Sequence, residues 1–206
     1  MLSGTDLHYG ILGGSFNPIH NGHLELGRQA MCQFSLDKIL VMPNNHPGYK
    51  DLSGDISTIQ RTQMIKLAIE DKPGLCFSDF ELKRPGITYT SDTLEALHSL
   101  YPKIKWYFIM GGDSIMYFDK WHRPDIILQH AALLVTTRGD ISEQVICDRI
   151  NYLRDLYPYA DIYLERINSH DISSSAIRNS IAQGDSIHGL VPDNVERYIL
   201  DNNLYR

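Results

Sequence analysis

Apolar residues along this chain fall into two kinds of run that alternate from one end to the other. Short, nearly continuous apolar stretches read as buried strands: HYGIL ending at Gly13 and Gly14, KILVMP broken by Pro43, LCFSDFEL, KWYFIM stopping at Gly111 and Gly112, AALLVTT and DIYLERI. Between them the apolar positions recur at helical spacing. Asn21 is placed to cap a helix carrying Leu24, Gly27, Met31 and Phe34 on one face, and Ser57 with Gln60 spells a capping box for a helix to about Ile69. Leu94, Leu97 and Leu100 mark the next helix with Ser91 as its cap, Pro124 opens another, and Val145, Arg149, Leu153 and Leu156 line a longer one. The run SSSAIRNSIAQG predicts a short helix stopped by Gly184, and Pro192 begins the last.

Strands alternating with helices predict an α/β, doubly wound, mostly parallel sheet covered on both faces. No repeat, low-complexity tract, Pro/Ser-rich linker or shift of composition divides the chain, so residues 1–206 are expected to form one domain, with a C-terminal helical part from about 172. In such sheets ligands bind beyond the carboxyl ends of strands. The segments standing there are GGSFNPIHNGH after the first strand, PNNHPGYK after the second, GGDS after the fourth and the Ser-rich turn after the last.

Composition narrows the partners. With 206 residues, 43% apolar and 21% charged, the chain is large enough for a real core and ordinary for a globular protein. The net charge of -6 argues against a broad nucleic-acid footprint. No eighteen-residue apolar run or signal-peptide pattern is present, so a cytoplasmic protein with no membrane partner is expected. Cys32, Cys76 and Cys147 are far apart and outside any CxxC pair, which indicates neither a disulfide framework nor a zinc knuckle.

The stretch GGSFNPIHNGH admits three readings. Gly13 and Gly14 let a turn adopt positive φ and let a ligand approach backbone N–H groups, while the helix that follows offers its amino end to anions. It matches neither GxGxxG nor GxxxxGK[ST]. His20 and His23 as metal ligands lack the HExxH spacing and a third partner, and a plain strand-to-helix turn with incidental histidines also fits. The segment DISSSAIRNSI repeats the device, with hydroxyls at a helix start and a cation, Arg178, one turn in, although a cap beside a surface arginine explains it too.

These two segments resemble the paired motifs of the nucleotidyltransferase superfamily. With KRPGITYTSDTLEAL, FIMGGDS, WHRP and LVPDNVERYILDNNLY they resemble, in order and over nearly the whole chain, the bacterial nicotinate-nucleotide adenylyltransferases. Two departures stand out: Asn17 occupies a position where many members carry Asp, and HPGYK replaces the more usual Pro-Pro-His-Lys before Lys50. The resemblance implies a Rossmann-like nucleotidyltransferase fold. It further implies attack by the phosphate of nicotinate mononucleotide on the α-phosphorus of ATP, without a covalent enzyme intermediate. Its partners are ATP and the mononucleotide, with Mg²⁺ carried on the triphosphate, no protein metal ligands, and a homodimer compatible with the family. By similarity, His20, His23 and Arg178 act on ATP phosphates, and Gly13, Gly14, Ser15, Phe16, Ser173 and Ser174 line the ATP site. Lys50, Thr90, Asp113, Tyr117 and Trp121 then meet the mononucleotide, with Trp121 stacking on the pyridine ring and Asp113 on ribose hydroxyls. For these residues the plainer alternatives are a solvated loop charge at Lys50, a helix cap at Asp113 and a half-buried core aromatic at Trp121.

Three rivals bound this reading. A phosphopantetheine adenylyltransferase shares the first and last motifs but would not be expected to carry TYTSDTL, WHRP or LVPDNVERYI. A nucleotide sensor would bind ATP without turnover. A fragment related to class I aminoacyl-tRNA synthetases conflicts with the acidic charge.

Overall fold

The computed structural model describes residues 7–45, 56–137, 141–165 and 172–206. Lys50 lies outside them. Strands β1 (Leu7–Gly14), β2 (Lys38–Pro43), β3 (Leu75–Phe77), β4 (Ile104–Gly111), β5 (Ala131–Thr136) and β6 (Ile162–Glu165) form one sheet in the order β3-β2-β1-β4-β5-β6. Every pairing is parallel. The winding reverses between β1 and β4, and in doubly wound sheets ligands bind beyond the carboxyl ends of the strands at such a switch point.

Strand side chains alternate between two cores, as the period of two requires. Leu12, Val41, Ile109 and Leu134 join residues of α1 (Asn21–Gln33), α2 (Thr58–Ile69), α7 (Ser174–Gln183) and α8 (Asp193–Asp201) on one face. Ile11, Met42, Met110, Leu133 and Val135 join α3 (Thr90–Leu100), the short α4 (Gly112–Ile115), α5 (Pro124–His130) and α6 (Glu143–Leu156) on the other. β5 is buried at every position, which is why its sequence is continuously apolar. Gly112 lets α4 lie close against this sheet, since a Cβ there would stand 2.6 Å from Ile146 Cδ1 and 3.1 Å from the Thr136 carbonyl.

Several local expectations hold and others are corrected. Ser57 Oγ accepts from the Gln60 N–H at 3.2 Å while Gln60 Oε1 accepts from the Ser57 N–H at 2.9 Å, the capping box read from sequence. Pro124 sits in the first turn of α5, and Gly184 ends α7 at φ 80°. The cap of α1 is His20 rather than Asn21, because the Asn21 amide is taken across the fold by the Gly189 carbonyl at 2.8 Å. Ser91 is buried inside the first turn of α3, which starts earlier through the Thr93 N–H bonding the Tyr89 carbonyl at 3.1 Å. LCFSDFEL pairs only over Leu75–Phe77; β3 is an edge strand, and the chain then turns, the Lys83 N–H reaching the Asp79 carbonyl. On α6 the buried stripe is Ile146, Ile150 and Leu153, whereas Val145 (44%) and Leu156 (49%) are exposed, the apolar residues of that helix lying on two neighbouring stripes.

Glu165 ends β6 fully buried, in register beside Thr136, with no hydrogen-bond partner for either carboxylate oxygen among the described residues. Burial pushes its carboxyl from the usual 4.5 up to about 8. Below pH 4.5 the group is neutral in both folded and unfolded chains; above it the unfolded chain ionises first, so stability falls as pH rises from 4.5 to about 8 and levels off beyond. Glu165→Gln removes this contribution. In urea titrations the gap between variant and wild type should widen from pH 5 to pH 8.5, the variant gaining; a gap independent of pH would refute the assignment.

Candidate active site

β1 delivers the chain to the switch point at Gly13 and Gly14. Neither glycine has positive φ; the left-handed residue of this turn is Phe16, at φ 47°. Nor does packing within the chain demand glycine at 13, where a Cβ would meet only the Phe108 ring at an ordinary 3.7 Å. After a cis Asn17–Pro18 peptide, Phe16, Asn17, Ile19 and His20 are all buried. The His20 and His23 rings stack with centroids 3.6 Å apart, and the Phe16 ring meets His23 edge-on at 5.0 Å. His23 Nδ1 accepts from the His20 N–H at 3.3 Å. In the neutral ring that acceptor role leaves the proton on Nε2, as a donor.

The second helix entrance converges on this loop. Ser173 Oγ caps α7 by accepting from the Ala176 N–H at 3.1 Å, and Ser174 Oγ donates to the Pro18 carbonyl at 2.9 Å. Arg178 Nη1 donates to the Asn17 carbonyl at 2.8 Å and Nη2 to Ser175 Oγ at 3.4 Å. Residues more than 150 positions apart thus share one edge of the sheet. Two further groups, absent from the expectations, grip the same loop: buried Arg61 donates to the Ser15 carbonyl at 2.8 Å, and the Tyr205 hydroxyl to Asn17 Oδ1 at 2.7 Å. The one sequence signal was the Leu-Tyr that closes the LVPDNVERYILDNNLY segment.

On the β4 side, Asp113 is exposed just past the strand, its carboxylate folded against Gly111. Trp121 is partly buried between Phe108, at 6.1 Å and edge-on, and Phe118, at 5.7 Å. Phe108, which sequence reasoning missed, therefore bridges Gly13 and Trp121. The rest of WHRP binds α3: His122 lies against Tyr89 at 4.2 Å, and Arg123 pairs with Glu95 at 3.0 Å and Asp92 at 3.4 Å. Thr90 follows Tyr89 as the first residue of α3. Tyr117 is 63% exposed under Lys120, and nothing places its ring against the others. The His pair and Arg178 share a loop, and Phe108 lies between Gly13, which leads into that loop, and Trp121.

The arrangement gathers two helix starts, two imidazoles, hydroxyls and a guanidinium about the loop after β1, a donor set suited to a polyphosphate. Gly13→Ala tests whether this glycine serves a ligand. Stability should stay within about 0.5 kcal/mol of wild type, while kcat/KM falls at least about tenfold if a ligand approaches this backbone closely enough to meet the added methyl. Wild-type kcat/KM would show that the space is not used.

Comparisons with known proteins agree with this geometry. Residues 11–180 match the cytidylyltransferase-like family. A probable nicotinate-nucleotide adenylyltransferase from Lachnoclostridium phytofermentans is 39% identical over 196 residues, covering 95% of this chain and 98% of the relative. A relative of the same description from Carboxydothermus hydrogenoformans is 38% identical over 197 residues, covering 96% and 97%. Among solved structures, the Plasmodium falciparum nicotinic acid mononucleotide adenylyltransferase complexed with NaAD shares the fold, with a TM-score of 0.79 at 22% identity over 97% of both chains.

Proposed function

The chain belongs to the nicotinate-nucleotide adenylyltransferase family, and from that premise we propose how its crevice works. The protein transfers the adenylyl group of ATP to nicotinate mononucleotide, forming deamido-NAD and pyrophosphate in NAD biosynthesis. A phosphate oxygen of the mononucleotide attacks the α-phosphorus, the bond to the β-phosphate oxygen breaks, and pyrophosphate leaves with the electron pair. Catalysis of this kind is positioning plus stabilisation of charge on the phosphoryl oxygens.

The observation that carries the reading is the locking of α7 onto the first loop through Arg178 and Ser174. His20, His23 and Arg178 face the triphosphate and stabilise charge as it develops. Gly13, Gly14, Ser15, Phe16, Ser173 and Ser174 line the ATP site. Thr90, Asp113, Tyr117 and Trp121 receive the mononucleotide, Trp121 using its exposed part to stack on the pyridine ring; Lys50 joins them from outside the described residues. The phosphate-facing side chains named here are N–H and O–H donors without a carboxylate, so they fit an ion that arrives on ATP and is held by phosphates and water. Mg²⁺ in that position would neutralise phosphate charge. Residues 1–206 act as one domain, in the cytoplasm, where the three free cysteines stay reduced. Among the described residues no helix is long and apolar enough to cross a membrane. A homodimer completes the reading and is checked by sedimentation.

The test is a coupled pyrophosphate assay. ATP with nicotinate mononucleotide should release pyrophosphate, and ATP with phosphopantetheine should not. Release with phosphopantetheine alone, or ATP binding without release with any mononucleotide, would overturn the proposal; kcat/KM for the acid and amide mononucleotides then measures the preference.

A further inference from the structure

Loop 15–20 holds an unfavourable backbone and is gripped from several directions. Phe16 keeps a left-handed conformation at φ 47°, which a bulky side chain rarely adopts and which persists only where its surroundings over-determine it. Four outside groups hold its neighbours: Arg61 at the Ser15 carbonyl, Arg178 at the Asn17 carbonyl, Ser174 at the Pro18 carbonyl and Tyr205 at Asn17 Oδ1. Arg178 and Ser174 already have places on the ATP side. Arg61 and Tyr205 have none.

Both are built for holding. Arg61 is buried on α2, and besides Ser15 it donates to the Asn44 carbonyl through Nη1 and Nη2, each at 3.2 Å, and to Thr58 Oγ1 at 3.2 Å. It therefore fixes the segment after β1 against the segment after β2. Tyr205 comes from the far end of the chain on a fixed arm. Leu204 is buried in the core with Val195 and Ile199 of α8, and its N–H bonds the Ile199 carbonyl at 3.0 Å. Left-handed turns at Asn203, φ 50°, and at Tyr205 itself, φ 65°, then bring the hydroxyl to fully buried Asn17.

We propose that Arg61 and Tyr205 are positioning residues for adenylyl transfer, holding Ser15 and Asn17 so that the amides and imidazoles of this loop meet the triphosphate in register. This rests on the reaction proposed above. It also gives a reason for the exchange of Asn and Asp at position 17: only Oδ1 is used, accepting from Tyr205, while Asn17 Nδ2 has no partner among the described residues. Either side chain supplies that acceptor.

Tyr205→Phe deletes a single hydroxyl. The expected result is a kcat per folded molecule about three- to tenfold lower, the worth of one buried hydrogen bond, with KM for ATP little changed; the unfolding midpoint falls as well, since buried Asn17 Oδ1 loses its donor. Hydrogen exchange in the peptide spanning Ser15 to Leu24 should be faster. Arg61→Lys, which keeps the charge but loses the planar fork, should act in the same direction; if it fails to fold, Tyr205→Phe decides alone. Wild-type kcat per folded molecule in Tyr205→Phe overturns the proposal, and so does a lower kcat with unchanged loop exchange, because the hydroxyl would then act without the loop. If the wild-type protein releases no pyrophosphate, the reaction is at fault, and exchange still reads the grip: faster in Tyr205→Phe supports it, equal overturns it.

Discussion

Replacing His23 with alanine should lower kcat by about two to three powers of ten, the loss that follows removal of one donor from a site of developing oxyanion charge. KM for ATP should move far less, because an interaction made mainly in the transition state shows in kcat. The structure complicates this substitution in a useful way. His23 Nδ1 also accepts from the His20 N–H at 3.3 Å, and its ring stacks on His20 at 3.6 Å, so alanine removes a helix cap as well as a donor. Lost capping costs about 1 kcal/mol and would lower the unfolding midpoint whatever the chemistry. His23→Glu separates the two, since a carboxylate at the third helical position can accept from the cap N–H, as Gln60 Oε1 does for Ser57, but offers no N–H to phosphate. The glutamate variant should regain stability and remain slow. Recovery of wild-type turnover in either variant would remove His23 from the catalytic set.

The fold was legible because apolar runs and helical spacing agree with the alternation of strand and helix, and the strand order then fixes where the crevice opens. Less legible was anything set by contacts between distant residues. Asn21 looks like a cap until the Gly189 carbonyl claims its amide. The glycines after β1 look like the left-handed residues, yet Phe16 carries the positive φ, because outside hydrogen bonds hold the loop there. WHRP reads as a motif without a reason until Trp121 packs on Phe108, His122 lies on Tyr89 and Arg123 reaches Glu95. Phe108 and Arg61 were invisible in one sequence: a buried aromatic in a strand and an arginine in a helix are ordinary, and only the site beside them makes them functional. Glu165 shows the reverse case, a residue of a type that rarely lies fully buried, which the sheet buries.

Arg178→Ala should likewise cost about two to three powers of ten in kcat. Its guanidinium has five N–H groups, and two bonds, to the Asn17 carbonyl at 2.8 Å and Ser175 Oγ at 3.4 Å, leave the others for phosphate. Alanine removes the charge and the link between α7 and the first loop together. Arg178→Lys restores the charge as a single ammonium, which cannot hold the Asn17 carbonyl and reach the triphosphate at once, so it should stay about tenfold below wild type. The decisive measurement is the double variant. If His23 and Arg178 act on one polyphosphate, the first loss already disorders the charge that the second would have stabilised, and His23→Ala/Arg178→Ala should lose clearly less than the product of the single losses. Losses that multiply in full would mean that the two groups act independently, and the convergence of the two helix entrances would then have no part in the chemistry.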